Sequence, residues 1–324
     1  MTVLTHVNPH EHEWALEKTL ASNANHWLPQ EIGLSTDILQ WKTGQLSDDE
    51  MRMVKRNLGF FSTADSLAAN NIILGTIRHI KNRNCRHYLF RQAYEEAFHT
   101  ESYAYVIESL GLDQGEIFNA YNEIESIRAK DDFLLPYIEV LTDPAFQADT
   151  TENVQTLLKS LFAFACIMEG LFFYVGFVQM LSLGRRNKLP GSSQEFQYIL
   201  RDESGHCNFG IDLINTIKRE YPGVWTTELQ KECTDMLRTG VDLEQAYAVD
   251  TLPNGVLGLN AGNTRQYLEF IADRRCIQVG LPVQYNQNEN PFPWMSEMVD
   301  LNNEENFFEK KVTAYQQAAG LEWD

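Results

Sequence analysis

Residues 161–183 read LFAFACIMEGLFFYVGFVQMLSL, and this run limits the chain more than any other. As a helix it is nearly long enough to span a bilayer. Yet Glu169 stands at its middle, where a charge is costly in lipid, and no second stretch resembles it. A helix apolar on every side has another home, the centre of a large helical bundle. That reading predicts no membrane span and carries Glu169 into the protein interior. An ionised carboxylate buried without a partner is strongly unfavourable or gives up its charge, so something must meet Glu169 there.

The rest of the chain suits such a bundle. Its 324 residues allow a large closed core, and only 10 prolines and 19 glycines interrupt it. "SDDE", Ser47 to Glu50, reads as a capping box opening a long helix that runs to about residue 80. A second long helix covers about 86–110 and stops near Gly111. Shorter helices fill 114–128 and 130–142, and a third long one spans about 152–182, ending at Gly184. "SSQE", at 192–195, opens a fourth, closed by Pro222-Gly223, and further helical patterns cover about 225–247 and 263–279. There is no strand alternation of any length and no short repeat. The fold class expected is all-α: one domain over 1–300 with four long central helices, an irregular connection at 284–304, and a tail at 301–324.

Charge and cysteine usage narrow the function. The formal net charge of −19, from 26 basic and 45 acidic residues, repels phosphate and argues against nucleic-acid binding. The five cysteines, at 85, 166, 207, 233 and 276, show no CxxC spacing and are odd in number. No targeting segment is read before residue 20. Reduced thiols in a cytoplasmic protein are expected.

One spacing recurs. In "EEAFHTESY" Glu96 precedes His99 by three residues, and Tyr103 follows four later, so all three share a helix face. In "RDESGH" Glu203 precedes His206 in the same way; of eight histidines only these two have a glutamate at that distance. Each pair lies in a long helix. The other two long helices each carry one carboxylate in apolar company, Asp65 in "FFSTADSLAANNIIL" and Glu169 in "FACIMEGLFFYVGF". Taken singly, Asp65 has a lesser alternative as a surface or salt-bridged aspartate, and each histidine as a satisfied core or surface imidazole. Taken together, four converging carboxylates need cations. One carboxylate from each of two helices plus a Glu-x-x-His pair from each of two more is the general ligand set of a dinuclear iron or manganese site in a four-helix bundle. No cysteine is required, which argues against structural zinc.

With these motifs the chain resembles the small, radical-generating (R2-type) subunit of class I ribonucleotide reductase, from about Trp27 to the tail. The resemblance implies a ferritin-like four-helix core with additional helices. It also implies metal ligands at Asp65, Glu96, His99, Glu169, Glu203 and His206. The centre would be iron–iron first, with manganese–manganese or manganese–iron as alternatives. Tyr103 and Asp65 match the tyrosyl-radical forms, whereas "NFFEKKVTAYQ" and "FFSTADSL" are worded like the mixed-metal branch.

The resemblance further makes Tyr103 the residue that stores the radical, oxidised with the help of O2 or a reduced oxygen species. It places Phe173, Phe177 and Ile199 around that tyrosine. Trp27, Asp202 and Tyr315 become the route by which the oxidising equivalent reaches a large catalytic subunit. It implies a homodimer, and docking on the large subunit through the 301–324 tail, where Phe307, Phe308, Tyr315, Leu321 and Trp323 lie among charges. The alternative is a stand-alone R2-like oxidase, di-iron or manganese–iron, on the same scaffold, which would not need Trp27, Asp202 and a tyrosine-bearing tail together.

Overall fold

The computed structural model describes residues 11–256 and 258–295. The expected tail, Tyr315 included, lies outside the described residues. Two N-terminal helices that the sequence pattern did not announce, α1 (Glu13–Ala24) and α2 (Ser35–Lys42), precede the core. Then come α3 (Asp48–Asn70), α4 (Arg83–Leu110), α5 (Gln114–Phe118), α6 (Ala120–Glu123) and α7 (Glu125–Thr142). They are followed by α8 (Thr151–Phe162), α9 (Phe173–Gly184), α10 (Pro190–Glu220), α11 (Thr227–Thr251) and α12 (Ala261–Val279). Among the described residues there is no β-strand, only a bridge between Val256 and Leu259.

Local chemistry sets several boundaries. At the start of α3 the Ser47 hydroxyl accepts from the Glu50 amide (3.2 Å), and the Glu50 carboxylate accepts from the Ser47 amide (2.8 Å). Gly111 closes α4 in the left-handed region, φ 69°.

Besides α7, which runs unbroken through the break expected between 128 and 130, three boundaries differ from the sequence expectation. The first long helix stops at Asn70 and passes through a π-helical turn, Asn71–Gly75, and a 3-10 turn, Thr76–Arg78. The helix expected to open on "SSQE" opens two residues earlier, with Pro190 in its first turn. Its cap comes from another helix: Asp37 of α2 accepts from the Gly191 amide (3.0 Å), the Ser192 amide (2.7 Å) and the Ser192 hydroxyl (2.7 Å). The third difference bears on function. Between α8 and α9 the chain stays helical but is π-helical from Ala163 to Phe172, and Glu169 lies within that segment. An extra residue per turn re-aims side chains, and such segments concentrate at functional sites.

The apolar stretch is an interior rod, not a membrane span. In the most apolar window of the helix Thr151–Gly184, 94% is buried. Around it α10 packs against α4, α9 and the π segment, while α3 packs against α4 and α9. These four rods form the core. Helices α7, α11 and α12 cover one side of it, and α1 lies on α4 and α10. All five cysteines are buried and unpaired. Inside the cover, Lys130 of α7 is fully buried, bonded to Glu244 of α11 (2.8 Å) and seated over the rings of Phe60 and Tyr247.

Candidate metal centre

Each core rod contributes to one point. Asp65 comes from α3, Glu96 and His99 from α4, Glu169 from the π segment, and Glu203 and His206 from α10. None is more than 3% exposed. Their ligand atoms form two overlapping groups, Asp65/Glu96/His99/Glu203 and Glu96/Glu169/Glu203/His206, each with its atoms within 4.8 Å of one another. Glu96 and Glu203 belong to both. His99 Nδ1 lies 3.0 Å from Glu203 Oε1 and 3.6 Å from Asp65 Oδ2. His206 Nδ1 lies 3.1 Å from Glu96 Oε1 and 3.3 Å from Glu203 Oε2.

The cluster lacks hydrogen-bond partners where cations would supply contacts. Asp65 Oδ1, both Glu96 oxygens, His99 Nδ1 and Glu203 Oε1 are buried and make no hydrogen bond of proper geometry within the protein, their close N–O approaches being charge contacts alone. Native interiors seldom leave such atoms orphaned, and here five of them converge. Carboxylate oxygens and imidazole nitrogens, with no sulfur among them, fit two divalent cations of the iron or manganese type.

Titration follows from the crowding. Burial first, then neighbouring carboxylates, raises Glu96 to about 8 and pushes Glu169 well above the ordinary range. Burial likewise raises Asp65 to about 6. Burial opposes the charged imidazoles, but the surrounding carboxylates outweigh it and hold His99 and His206 well above their usual value. Cations would reverse this balance by favouring ionised carboxylates and neutral imidazoles.

Both imidazoles are held from behind. His99 Nε2 faces Asp202 Oδ2 at 3.4 Å, and the Trp27 indole donates to the same oxygen at 2.9 Å. Burial would raise Asp202, yet the bonds from His99 and Trp27 and the charge of Arg201 hold it below the usual carboxylate range. An ionised carboxylate only accepts, so Nε2 carries the proton, and in the neutral ring the Nδ1 lone pair faces the cluster.

His206 repeats the arrangement through a residue that the sequence reading missed: its Nε2 meets Glu95 Oε2 at 2.9 Å. Glu95 is anchored by the Ser22 hydroxyl (2.7 Å) and Arg91 (3.0 Å). The signal was there. An acidic residue immediately precedes each Glu-x-x-His, Glu95 before Glu96 and Asp202 before Glu203, and each serves the histidine of the other helix. Gln92, one turn before Glu96, was also missed; it donates to Glu169 Oε1 at 2.7 Å.

Tyr103 is fully buried, and its hydroxyl donates to Asp65 Oδ2 at 2.8 Å. Phe61 and Phe196 lie directly against its ring, each with centroids 5.7 Å away. Phe173 and Phe177 sit behind Phe61, at 5.1 Å each, and both are fully buried, as is Ile199. The rings nearest the tyrosine, Phe61 and Phe196, are both tilted to it and were not among those that the resemblance supplied. Phe61 reaches its place because residue 176 is glycine: a Cβ there would stand 2.4 Å from the Phe61 ring. Trp27, 5% exposed, packs edge-on against Phe98 at 5.0 Å.

An all-helical core that brings four carboxylates and two imidazoles together from four rods places the chain with the helical-bundle proteins of the dinuclear metal–carboxylate class. The family model described as ribonucleotide reductase, small chain, matches residues 4–291. The chain belongs to that family, the radical-generating subunit of an oxidoreductase.

Ribonucleoside-diphosphate reductase subunit beta of Chlamydia pneumoniae is 52% identical over 315 residues, covering 97% of this chain and 91% of that one. The small chain 1 of Saccharomyces cerevisiae is 31% identical over 320 residues, covering 98% and 74%. Among solved structures, the ribonucleotide reductase R2 subunit from Clostridium botulinum superposes with a TM-score of 0.82 at 26% identity, covering 89% of each chain. Membership as a small subunit implies a large-subunit partner.

Proposed function

We propose that this chain stores an oxidising equivalent on Tyr103 and delivers it to a large catalytic subunit that reduces ribonucleoside diphosphates to deoxyribonucleotides. One observation carries the reading: the buried Tyr103 hydroxyl donates to Asp65 Oδ2, a member of the orphaned carboxylate cluster, at 2.8 Å. Oxidising a phenol releases its proton, and Asp65 stands where that proton must go. Burial first, then the Asp65 charge, keeps the Tyr103 phenol neutral far above its usual range, so electron and proton leave together.

Asp65, Glu96 and His99 would hold one cation, and Glu169, Glu203 and His206 the other. A dinuclear centre there, iron–iron first and manganese–manganese or manganese–iron otherwise, would supply the oxidising power, with O2 or a reduced oxygen species as oxidant. Phe61 and Phe196 exclude water from Tyr103, and Phe173, Phe177 and Ile199 thicken that wall. The hydrogen-bonded line His99–Asp202–Trp27 leads away from the cluster and supports Trp27 as the exit. Tyr315 and the 301–324 tail would complete the route on docking to the large subunit. A cytoplasmic homodimer is the form in which we expect the subunit to work.

Low-temperature EPR on protein reconstituted separately with iron and with manganese tests this. A tyrosyl signal is expected in at least one metal form and should vanish in Tyr103→Phe. A tyrosyl signal that survives the substitution, or no organic radical with any metal, refutes the assignment.

A further inference from the structure

Many cations of this acidic chain meet an acid, while others, such as Arg86 and Lys218, bond only neutral groups. Arg91 pairs with Glu95, Lys130 with Glu244, Lys188 with Glu50, and Arg265 with Glu269. Among the described residues Arg275 of α12 is the one cation of this second kind that is buried. It is 6% exposed, and its partners are neutral: Nε donates to the Gly170 carbonyl (3.0 Å), Nη1 donates to Gln278 Oε1 (2.8 Å), and the guanidinium lies over the Tyr174 ring, 5.2 Å from its centroid. No carboxylate among the described residues pairs with it. The close approach is built in, since a Cβ at Gly170 would stand 2.8 Å from Arg275 Nε.

The same guanidinium lines a cavity of about 230 Å³ together with Arg274, Tyr174 and Asn208. Arg274 likewise has no acidic partner among the described residues. A buried cation without an anion carries an uncompensated desolvation cost. With a net charge of −19, the chain had acids in plenty to place there.

We propose that this cavity binds a small oxyanion, gripped by the planar guanidinium of Arg275, supported by Arg274 and capped by the Asn208 amide. Guanidinium donors match carboxylate and phosphate oxygens in pairs. The volume is below the range of sites for larger organic ligands, which points to a phosphate- or carboxylate-sized group rather than a nucleotide. Because Arg275 also holds the carbonyl of Gly170, the residue after Glu169, the bound anion would touch the backbone of the π segment through one side chain.

Titration calorimetry of the purified full-length chain at low ionic strength, with inorganic phosphate in one arm and acetate in the other, tests the site. Saturable one-site binding below about 10 mM is expected in at least one arm. The arm that binds tells a tetrahedral from a planar ligand. Arg275→Gln should weaken it by at least about tenfold. Asn208→Trp, which fills the cavity and leaves Arg275 in place, should abolish it, and this variant decides the matter if Arg275→Gln does not fold. Absence of saturable binding in both arms, or equal affinity in the Asn208→Trp protein, overturns the proposal.

Discussion

Replacing Glu95 by glutamine should loosen one cation and spare the other. Glu95 Oε2 meets His206 Nε2 at 2.9 Å, and His206 reaches only the group that contains Glu169. A hydrogen bond to a charged group is worth about 1.5–3 kcal/mol net. At 1.4 kcal/mol per decade that is about a ten- to hundredfold loss of affinity, the range typical when the outer partner of a metal-bound histidine is removed. Asp202→Asn should do the reverse, weakening the cation held by His99, and by less, because that contact is 3.4 Å and Trp27 still restrains the side chain. Folding should survive Glu95→Gln, since Arg91 keeps the Ser22 hydroxyl (2.8 Å) and carbonyl (3.3 Å). The assay is a manganese titration against a competing chelator, with anomalous diffraction at the manganese edge to locate the site that empties. Equal loss at both sites in either variant, or loss at the His99 side in Glu95→Gln, would refute the idea that each imidazole is set independently by its own acid.

Stability of the metal-free protein should fall as pH rises. Asp65, raised to about 6, and Glu96, raised to about 8, bind more protons folded than unfolded, so their contribution is full below about pH 4 and is lost up to those values. The raised imidazoles act with the same sign above about pH 6.5, whereas Asp202 and Glu203, held low, matter only in acid. Thermal midpoints of metal-free and loaded protein should therefore diverge between about pH 5 and 8.5, and parallel curves would contradict this. Lys130→Met strands Glu244 in the core and should cost about 3–5 kcal/mol in urea unfolding, with most of the loss recovered in Lys130→Met/Glu244→Leu. Gly176→Ala forces a methyl to 2.4 Å from the Phe61 ring and 2.9 Å from Asn57 Oδ1; about 1–3 kcal/mol of stability should go, measured by the same unfolding.

What could be read from residues alone was local. The apolar rod, the Ser47 capping box and the two Glu-x-x-His repeats depend on spacings of a few residues, and i, i+3 places side chains on one helix face whatever surrounds it. The identity of Asp65 and Glu169 as interior carboxylates also followed, because burial in apolar sequence demands a partner. Tertiary packing decided the rest. An all-apolar helix has no hydrophobic period to separate α from π geometry, so the segment 163–172 around Glu169 was invisible in the sequence. Asp37 caps α10 from 154 residues away, Glu95 serves His206 across 111, and Phe61 covers Tyr103 only where Gly176 leaves room. Such pairings depend on distances between helices, and those distances exist only once the rods have packed.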